Sequence, residues 1–572
     1  MEESAQHKDR SARFSYLPPV RWLATYQKEW LPHDLIAGVT LAAYAIPVSL
    51  AYAALAELPP QVGIYGYLLG GIGYALFGSS RQLAVGPTSA ISLMIAATVV
   101  TMAGGDAQRY IAIASLAAFT VALLCAISWL LRLSMLVRLI SDSILLGFKA
   151  GAGLTIIMTQ LPSLFGIPGG GHNFFERILL FAEHLGQTQP LVLAIGVLAI
   201  AALLLGDRFM PGRPIALVVV AVAIIIASVF GLSALGVAVT GKIPPGLPAL
   251  SGPDLRLRDV EGIFPLAAGC LLLAYIEGVS AARAFAAKHG YELDPRQELL
   301  GLGAANLAAA LGQGYPVAGG LSQSAVNDKA GARTPLSLIF ASITLALCLM
   351  FLTGFLENLP KAVLAAVVFT AVIGLVDVRS LYRTWRISKM DFYAAAVALC
   401  AVLLLGIMQG MLLAAGISLL MLVARASQPH VAFLGRVPGT HSYSDLDRHP
   451  ENENLPHVLA FRPEASLLYV NADPVLHLVL DRVRQLGFRN IRAVVCDLSA
   501  SPYVDLAGSR MLHQLHGELA PYNIVLRIVG ARGRVRDLLR ADGLGEKVGG
   551  LARVITLDSL LSSLTAAEGD AR

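Results

Sequence analysis

Charge is what this chain has least of. Only 14% of its 572 residues are Asp, Glu, Lys or Arg, against about 25% in an ordinary soluble domain. Meanwhile 56% are hydrophobic and the mean hydropathy is +0.66. That balance excludes an ordinary soluble enzyme. The net charge of +5 is too small for a nucleic-acid surface and reflects Lys and Arg beside the apolar segments. Cysteine is scarce too. Cys125, Cys270, Cys348 and Cys400 lie in apolar segments and Cys496 in the polar C-terminal part. No spacing among them suggests a metal site or a disulfide framework. A secretory signal is not expected either: Lys8, Arg10, Arg13, Arg21 and Lys28 punctuate the first 30 residues with no apolar core between them, which reads as a cytoplasmic arm. "GVAVTGK", Gly236 to Lys242, fits G-x-x-x-x-G-K, but Ile243 stands where a Ser or Thr must hold Mg²⁺, and two prolines follow. ATP binding, and with it a primary pump, is therefore excluded. Neither a metal cluster nor a nucleophile with its base is recognisable, so no enzymatic activity and no cofactor are expected.

What the chain does have is apolar length. Segments of roughly 20 residues, enough to cross a ~30 Å hydrocarbon core, recur from about Leu35 to about Ala424. About 14 spans are predicted, near 34–54, 62–78, 87–103, 109–131, 134–161, 190–206, 213–232, 261–284, 295–313, 320–330, 335–355, 359–376, 390–406 and 409–424. With the N-terminus in the cytoplasm, the even loops hold Arg81, Arg132, Arg138, Arg208, Arg213, Arg283 to Arg296, Lys329, Arg333 and the run "RSLYRTWRISK". The odd loops hold fewer: Arg109, Arg177, Lys361, Lys242, Arg256 and Arg258. The excess on one side obeys the positive-inside rule and places both termini in the cytoplasm.

Two stretches break this pattern. "VGPTSAISLM" (Val85 to Met94) and "PVAGGLSQSAVND" (Pro316 to Asp328) put proline, glycine and hydroxyl residues where lipid should be. Irregular backbone at membrane depth survives only where protein or a water-filled cavity surrounds it. Each stretch is followed by a short helical pattern, Thr88 to about Met102 and Gly320 to about Lys329. Helix N-termini carry unpaired N–H groups and a partial positive charge. Two that meet near the midplane make an anion site without lysine or arginine, with Thr88, Ser89, Ser322 and Ser324 as further donors. The breaks open the third and tenth spans, the same position in two seven-span halves. Seven is odd, so the second half enters the membrane inverted. The eighth span carries one acid, Glu277, in "LLLAYIEGVSAARAFAAK"; an intramembrane acid is functional by default.

Beyond Ala424 the composition turns polar. Residues 425–456 read as a linker, and 457–565 alternate short strands with helical patterns, an α/β domain. The N-terminal arm is 1–33, the membrane domain 34–424 and the tail 566–572.

The opening "LPHDLIAGVTLAAYAIPVSLAYAALAELPPQVGIYGYLLGGIGYALFGSSRQLAVGPTSAISLM", with "SQSAVNDKAGARTPLS" and "QPHVAFLGRVPGT", resembles the SulP anion transporters, the sulfate permease family. The C-terminal part resembles a STAS domain. The resemblance implies a seven-plus-seven inverted repeat. A core domain (spans 1–4 and 8–11) moves against a gate domain (spans 5–7 and 12–14) in an elevator-like manner, usually in a homodimer. It places the anion between Thr88, Ser89 and Ala90 and Gly320, Leu321 and Ser322. This chain departs from frequent family residues at Val48, Thr88 and Gln323. Family members with sodium coupling often have aspartate and a threonine one turn later, where this chain has Glu277 and Ala281, so Glu277 is read as a proton carrier. In related regulators a STAS loop hydroxyl is phosphorylated; here the loop reads Asp505, Leu506, Ala507, Gly508, which removes that chemistry, and the domain is read as a folding, dimerisation or docking module.

The expectation is a proton-coupled secondary transporter of a small inorganic or carboxylate anion, sulfate-like, in the cell inner membrane. The alternatives are a sodium-dependent bicarbonate transporter, a dicarboxylate or nucleobase carrier, and an anion channel or STAS-bearing receptor.

Overall fold

In the computed structural model, residues 22–23, 26–134, 141–171, 173–210, 214–252, 257–553 and 555–569 are described. Most of the N-terminal arm, with Lys8, Arg10, Arg13 and Arg21, lies outside them, as do Arg138, Arg213 and Arg256. The chain divides into two units, one ending at Ser418 and one beginning at Leu419.

The first unit is helical. Its spans are α1 (Leu31–Leu55), α2 (Pro60–Phe77), α3 (Ser89–Ala103), α4 (Ala107–Leu130), α5 (Asp142–Phe165), α7 (Pro190–Phe209) and α8 (Ile215–Val229). The second half supplies α9 (Leu257–His289), α10 (Pro295–Leu311), α11 (Leu321–Lys329), α12 (Leu336–Phe351), α13 (Lys361–Ile373), α15 (Lys389–Leu405) and the start of α16 (Ile407–Ser427), whose residues from Leu419 on belong to the second unit. Each matches one predicted span. The spans near 134–161 and 261–284 are displaced: α5 begins at Asp142, where Ser141 caps it by accepting from the Ile144 N–H, and α9 reaches back to Leu257. Ends are set by ordinary chemistry. Asp106 caps α4, Asp294 caps α10 with Pro295 following, and α3 and α5 stop at left-handed Gly104 and Gly166.

Two amphipathic helices stand outside the span count, α6 (Phe174–His184) and α14 (Val378–Ile387). The run "RSLYRTWRISK" was expected as loop. It is helical because Asp377 accepts from the Ser380 N–H and apolar residues recur on one face, with Trp385 edge-on to Phe392 at 4.8 Å. An arginine-bearing amphipathic helix suits a membrane interface.

Packing sorts the spans into two groups. Spans 1–4 pack chiefly with spans 8–11, and spans 5 and 6 chiefly with spans 12 and 13. Buried acids tie the halves of the first group together. Asp34 on α1 accepts from the Arg333 and Thr334 amides and the Thr334 hydroxyl. Glu298 on α10 accepts from Tyr74, Ser79 and the Ser80 amide.

The "GVAVTGK" stretch is neither strand–loop–helix nor free. Val239 bridges Pro360, and the Thr240 amide donates to the Leu359 carbonyl at 2.9 Å.

The second unit holds a five-stranded sheet of β3 (Val431–Arg436), β4 (Tyr443–Asp445), β5 (Val458–Pro463), β6 (Ala493–Asp497) and β7 (Val525–Val529), in the order β4-β3-β5-β6-β7. The stretch 425–456, expected as a linker, therefore contributes two strands. Phe433 and Leu434 pair with β5 and bury both their side chains, and an apolar alternation that short is easily lost among Pro, Gly and Asn. Helices α17 (Ala472–Leu486), α18 (Leu506–Leu519), α19 (Gly533–Ala541), α20 (Leu544–Lys547) and α21 (Leu557–Gly569) complete the unit. Asp505 caps α18 through the Gly508 N–H, while Ser501 and Ser509 are buried and donate to the Ala465 carbonyl and to Asp542. Those two serines are committed to the fold.

Candidate functional site

The two broken stretches meet. Val85–Gly86 (β1) pairs antiparallel with Ala318–Gly319 (β2), in the register Val85 to Gly319 and Gly86 to Ala318. The four residues are buried. Backbone that leaves the helical ladder inside a membrane must find partners within the protein; here each strand supplies the other's. Glycine is required for the close approach. A Cβ on Gly86 would lie 2.2 Å from the Tyr67 ring, and one on Gly319 would lie 3.0 Å from the Gly278 Cα. The surrounding polar side chains brace this ribbon. Asn306 donates to the Val317 carbonyl and accepts from its amide. The Ser92 and Tyr315 hydroxyls bond at 2.9 Å.

Each strand runs into a helix. Thr88, in extended conformation, is the N-cap of α3, and Gly320 is the N-cap of α11. The Thr88 side chain makes no cap bond and Gly320 has no side chain to make one; several other spans also start without a side-chain cap. Thr88 Oγ1 is buried and finds no protein partner. α11 has nine residues, about 14 Å of helix, roughly half the hydrocarbon core. Its N-terminus therefore starts at depth.

The predicted residues fare differently. Ser89 and Ala90 are buried in the first turn of α3, with Tyr52 of α1 near the Ser89 hydroxyl. Leu321 and Ser322 are exposed at the start of α11. Ser324 is not a spare donor. Its hydroxyl donates to the Gly320 carbonyl at 2.7 Å and accepts from the Ala84 amide at 2.9 Å, holding α11 to the first ribbon strand. Gln323 is buried and donates back to the Ala318 carbonyl at 3.2 Å. Glu277 is half-buried on α9, next to Gly278, whose added Cβ would lie 3.7 Å from the Gly319 nitrogen. Ser280 is exposed. The ribbon thus collects Thr88, Ser89, Ala90, Gly320, Leu321, Ser322 and Glu277 around one crossing of α3, α9 and α11.

Sequence reasoning missed Lys149, in the N-terminal third of α5. Its charge acts on Glu277. The signal was present: a lone lysine between Phe148 and Ala150 in an otherwise apolar span is as conspicuous as Glu277. It also missed Tyr52, because a tyrosine in an apolar helix is ordinarily packing. A cavity of about 740 Å³ lies off this crossing. It touches α3 only from Leu93 onward and includes none of the seven predicted residues. The crossing, not the cavity, carries the anion chemistry of helix N-termini, so the candidate site stays there.

The model of the sulfate permease family matches residues 31–398, and that of the STAS domain matches 449–557. A probable sulfate transporter of Mycobacterium tuberculosis is 35% identical over 536 residues, 93% of this chain and 95% of that protein. The chloroplastic sulfate transporter 4.1 of Arabidopsis thaliana is 32% identical, over 93% of this chain and 80% of that one. Among solved structures, the murine solute carrier 26 member A9 anion transporter in the inward-facing state superposes with a TM-score of 0.88 at 21% identity, over 97% of this chain and 95% of that chain. The transmembrane domain of a cyanobacterial bicarbonate transporter superposes with a TM-score of 0.59 at 22% identity, over 69% of this chain and 98% of that chain.

Proposed function

The chain belongs to the sulfate permease family, a family of multi-pass membrane transporters of anions, and on that premise we propose that it carries sulfate by secondary active transport. The observation that supports this most directly is the buried ribbon joining two half-helices, with the Thr88 hydroxyl at one N-cap buried and without a protein partner. Such N-termini favour an anion through N–H groups and partial charge, without a fixed cation that would hold it too tightly. The anion lies between Thr88, Ser89 and Ala90 on one side and Gly320, Leu321 and Ser322 on the other. Sulfate is preferred because relatives covering nearly the whole chain are named as sulfate transporters.

Glu277, beside the ribbon, takes the coupling proton. Movement is elevator-like: spans 1–4 and 8–11 slide as a core against spans 5–7 and 12–14, a division supported by the packing of spans 1–4 with 8–11 and of spans 5 and 6 with 12 and 13. The protein sits in the inner membrane as a homodimer with both termini in the cytoplasm.

The test is uptake into liposomes holding the purified protein. Labelled sulfate, bicarbonate and fumarate are offered with and without an inward proton gradient, and with and without sodium. Proton-driven sulfate uptake is expected. Sodium-driven bicarbonate uptake would overturn both the substrate and the coupling ion, and gradient-following currents independent of both cations would make the protein a channel.

A further inference from the structure

The cavity beside α3 contains chemistry that the ribbon does not use. It encloses about 740 Å³ between the C-terminal parts of α1, α3 and α5, the Gly169–Gly171 loop, α6, Thr240 and the start of α13. Counting spans from a cytoplasmic N-terminus puts all of these at the outer face. Its inner wall includes Leu93 and Ala96, one and two turns along α3 from Ser89.

The threonine hydroxyls lining it have already spent their protons. Thr101 donates to the Thr98 carbonyl at 2.8 Å, Thr159 to Ile156 at 2.6 Å and Thr240 to Leu359 at 2.9 Å. The Gln160 amide donates to Thr159 at 2.9 Å. Cations are left. Arg177 on α6 donates through Nε to the Gly171 carbonyl at 3.1 Å. Gly171 has a φ of +94°, and a Cβ there would come within 2.9 Å of Arg177 Cγ. Glycine is what lets that carbonyl fold back and fix the arginine. The Arg177 Nη1 is then buried with no partner, an expensive way to leave a charged donor unless something accepts from it. Lys361 lines the same cavity, and among the described residues Glu57 is its one carboxylate, leaving one net positive charge. Burial pushes the Arg177 guanidinium down, against the pull of Glu57 and Glu176.

We propose that this cavity is an outer vestibule that binds the anion before the ribbon does, with Arg177 as the principal donor and Lys361 as the second. The ligand class is a small oxyanion, whose oxygens accept from a guanidinium. The vestibule rests on the transport reading, and it makes the protein a two-station carrier: a cationic station outside and a charge-poor one at depth.

The test uses cells expressing the full chain, with labelled sulfate followed inward and, from preloaded cells, outward. Arg177→Gln and Lys361→Gln should each raise the KM for uptake, roughly tenfold for Arg177, the worth of one charge-assisted hydrogen bond. The rate at saturation and the KM for efflux should hold. Added salt should raise the uptake KM of the unaltered protein more than that of either variant. Lys361→Gln leaves the Arg177–Gly171 contact alone and so separates charge from loop structure. Uptake KM values unchanged in both variants would overturn the vestibule while leaving transport intact. No sulfate uptake by the unaltered protein would instead overturn the reading beneath it.

Discussion

Thr88→Val separates an anion site from a helix kink. The substitution replaces the Thr88 hydroxyl, buried and without a protein partner, by a methyl group of nearly the same size. A buried donor left unpaired costs about 1–3 kcal/mol. The anion-free protein should therefore lose no stability and gain up to about 1–3 kcal/mol. In the presence of sulfate the sign reverses. A hydrogen bond to a charged group contributes about 1.5–3 kcal/mol, so sulfate should bind at least about tenfold more weakly. At a sulfate concentration one hundred times the dissociation constant of the unaltered protein, ligand stabilisation is about 2.7 kcal/mol; for a site tenfold weaker it falls to about 1.4 kcal/mol. Thermal unfolding in detergent, followed by intrinsic fluorescence across a sulfate series, reads both effects at once. A variant that is less stable without sulfate, yet shifts with sulfate as far as the unaltered protein, would show that Thr88 serves packing alone.

Glu277→Gln should abolish uptake driven by a proton gradient while the protein stays folded; proton-driven uptake at the original rate would remove Glu277 from coupling. Ser322→Leu should fill the space at the start of α11 and suppress sulfate binding, measured by the same thermal shift, and undiminished binding would move the site elsewhere. In the second unit, burial pushes the Asp445 carboxyl up, but the His430 ring at 2.8 Å, the Asp447 amide and the charges of His430 and Arg448 hold it below the usual range. A depressed carboxylate lends stability that is present above its unfolded pKa, ~3.9, and is lost as the pH falls through the folded value. His430→Ala should therefore bring acid unfolding of the sheet to a higher pH, read by circular dichroism in an acid titration; an unmoved midpoint would discount the pair.

The membrane spans were legible because hydropathy and length act residue by residue. The third and tenth spans were legible for the opposite reason. Pro87, Gly86, Gly319 and Gly320 violate the helical pattern, and at membrane depth a violation must be compensated nearby. What a linear reading did not reach was partnership. Ser322 and Ser324 look alike in sequence, but two residues along a helix separate an exposed hydroxyl from one locked against Gly320 and Ala84. β3 was lost because its pairing residues in β5 lie beyond an intervening polar stretch. Lys149 was overlooked because lysines and arginines were weighed only in loops, where they report orientation, while within the spans only an acid was weighed for function.

On the proposed elevator and proton-coupling reading, Lys149 connects coupling to movement. It lies on α5, which packs with spans 12 and 13, whereas Glu277 lies on α9, among spans 1–4 and 8–11. A slide of one group past the other must change the distance between these charges. Each ~1.4 kcal/mol by which that attraction differs between two conformations shifts their ratio about tenfold. Protonating Glu277 would release that bias, as would removing the ammonium group. Lys149→Met should accordingly redistribute inward- and outward-open forms, measured as the labelling rate of a cysteine placed at exposed Ser280 by an impermeant thiol reagent, in a background lacking the native cysteines. The decisive comparison is the double variant. If the two charges act through each other, Lys149→Met with Glu277→Gln should shift labelling no further than either change alone. Additive shifts would mean that each charge serves the site separately, and that protonation of Glu277 does not reach the gate through Lys149.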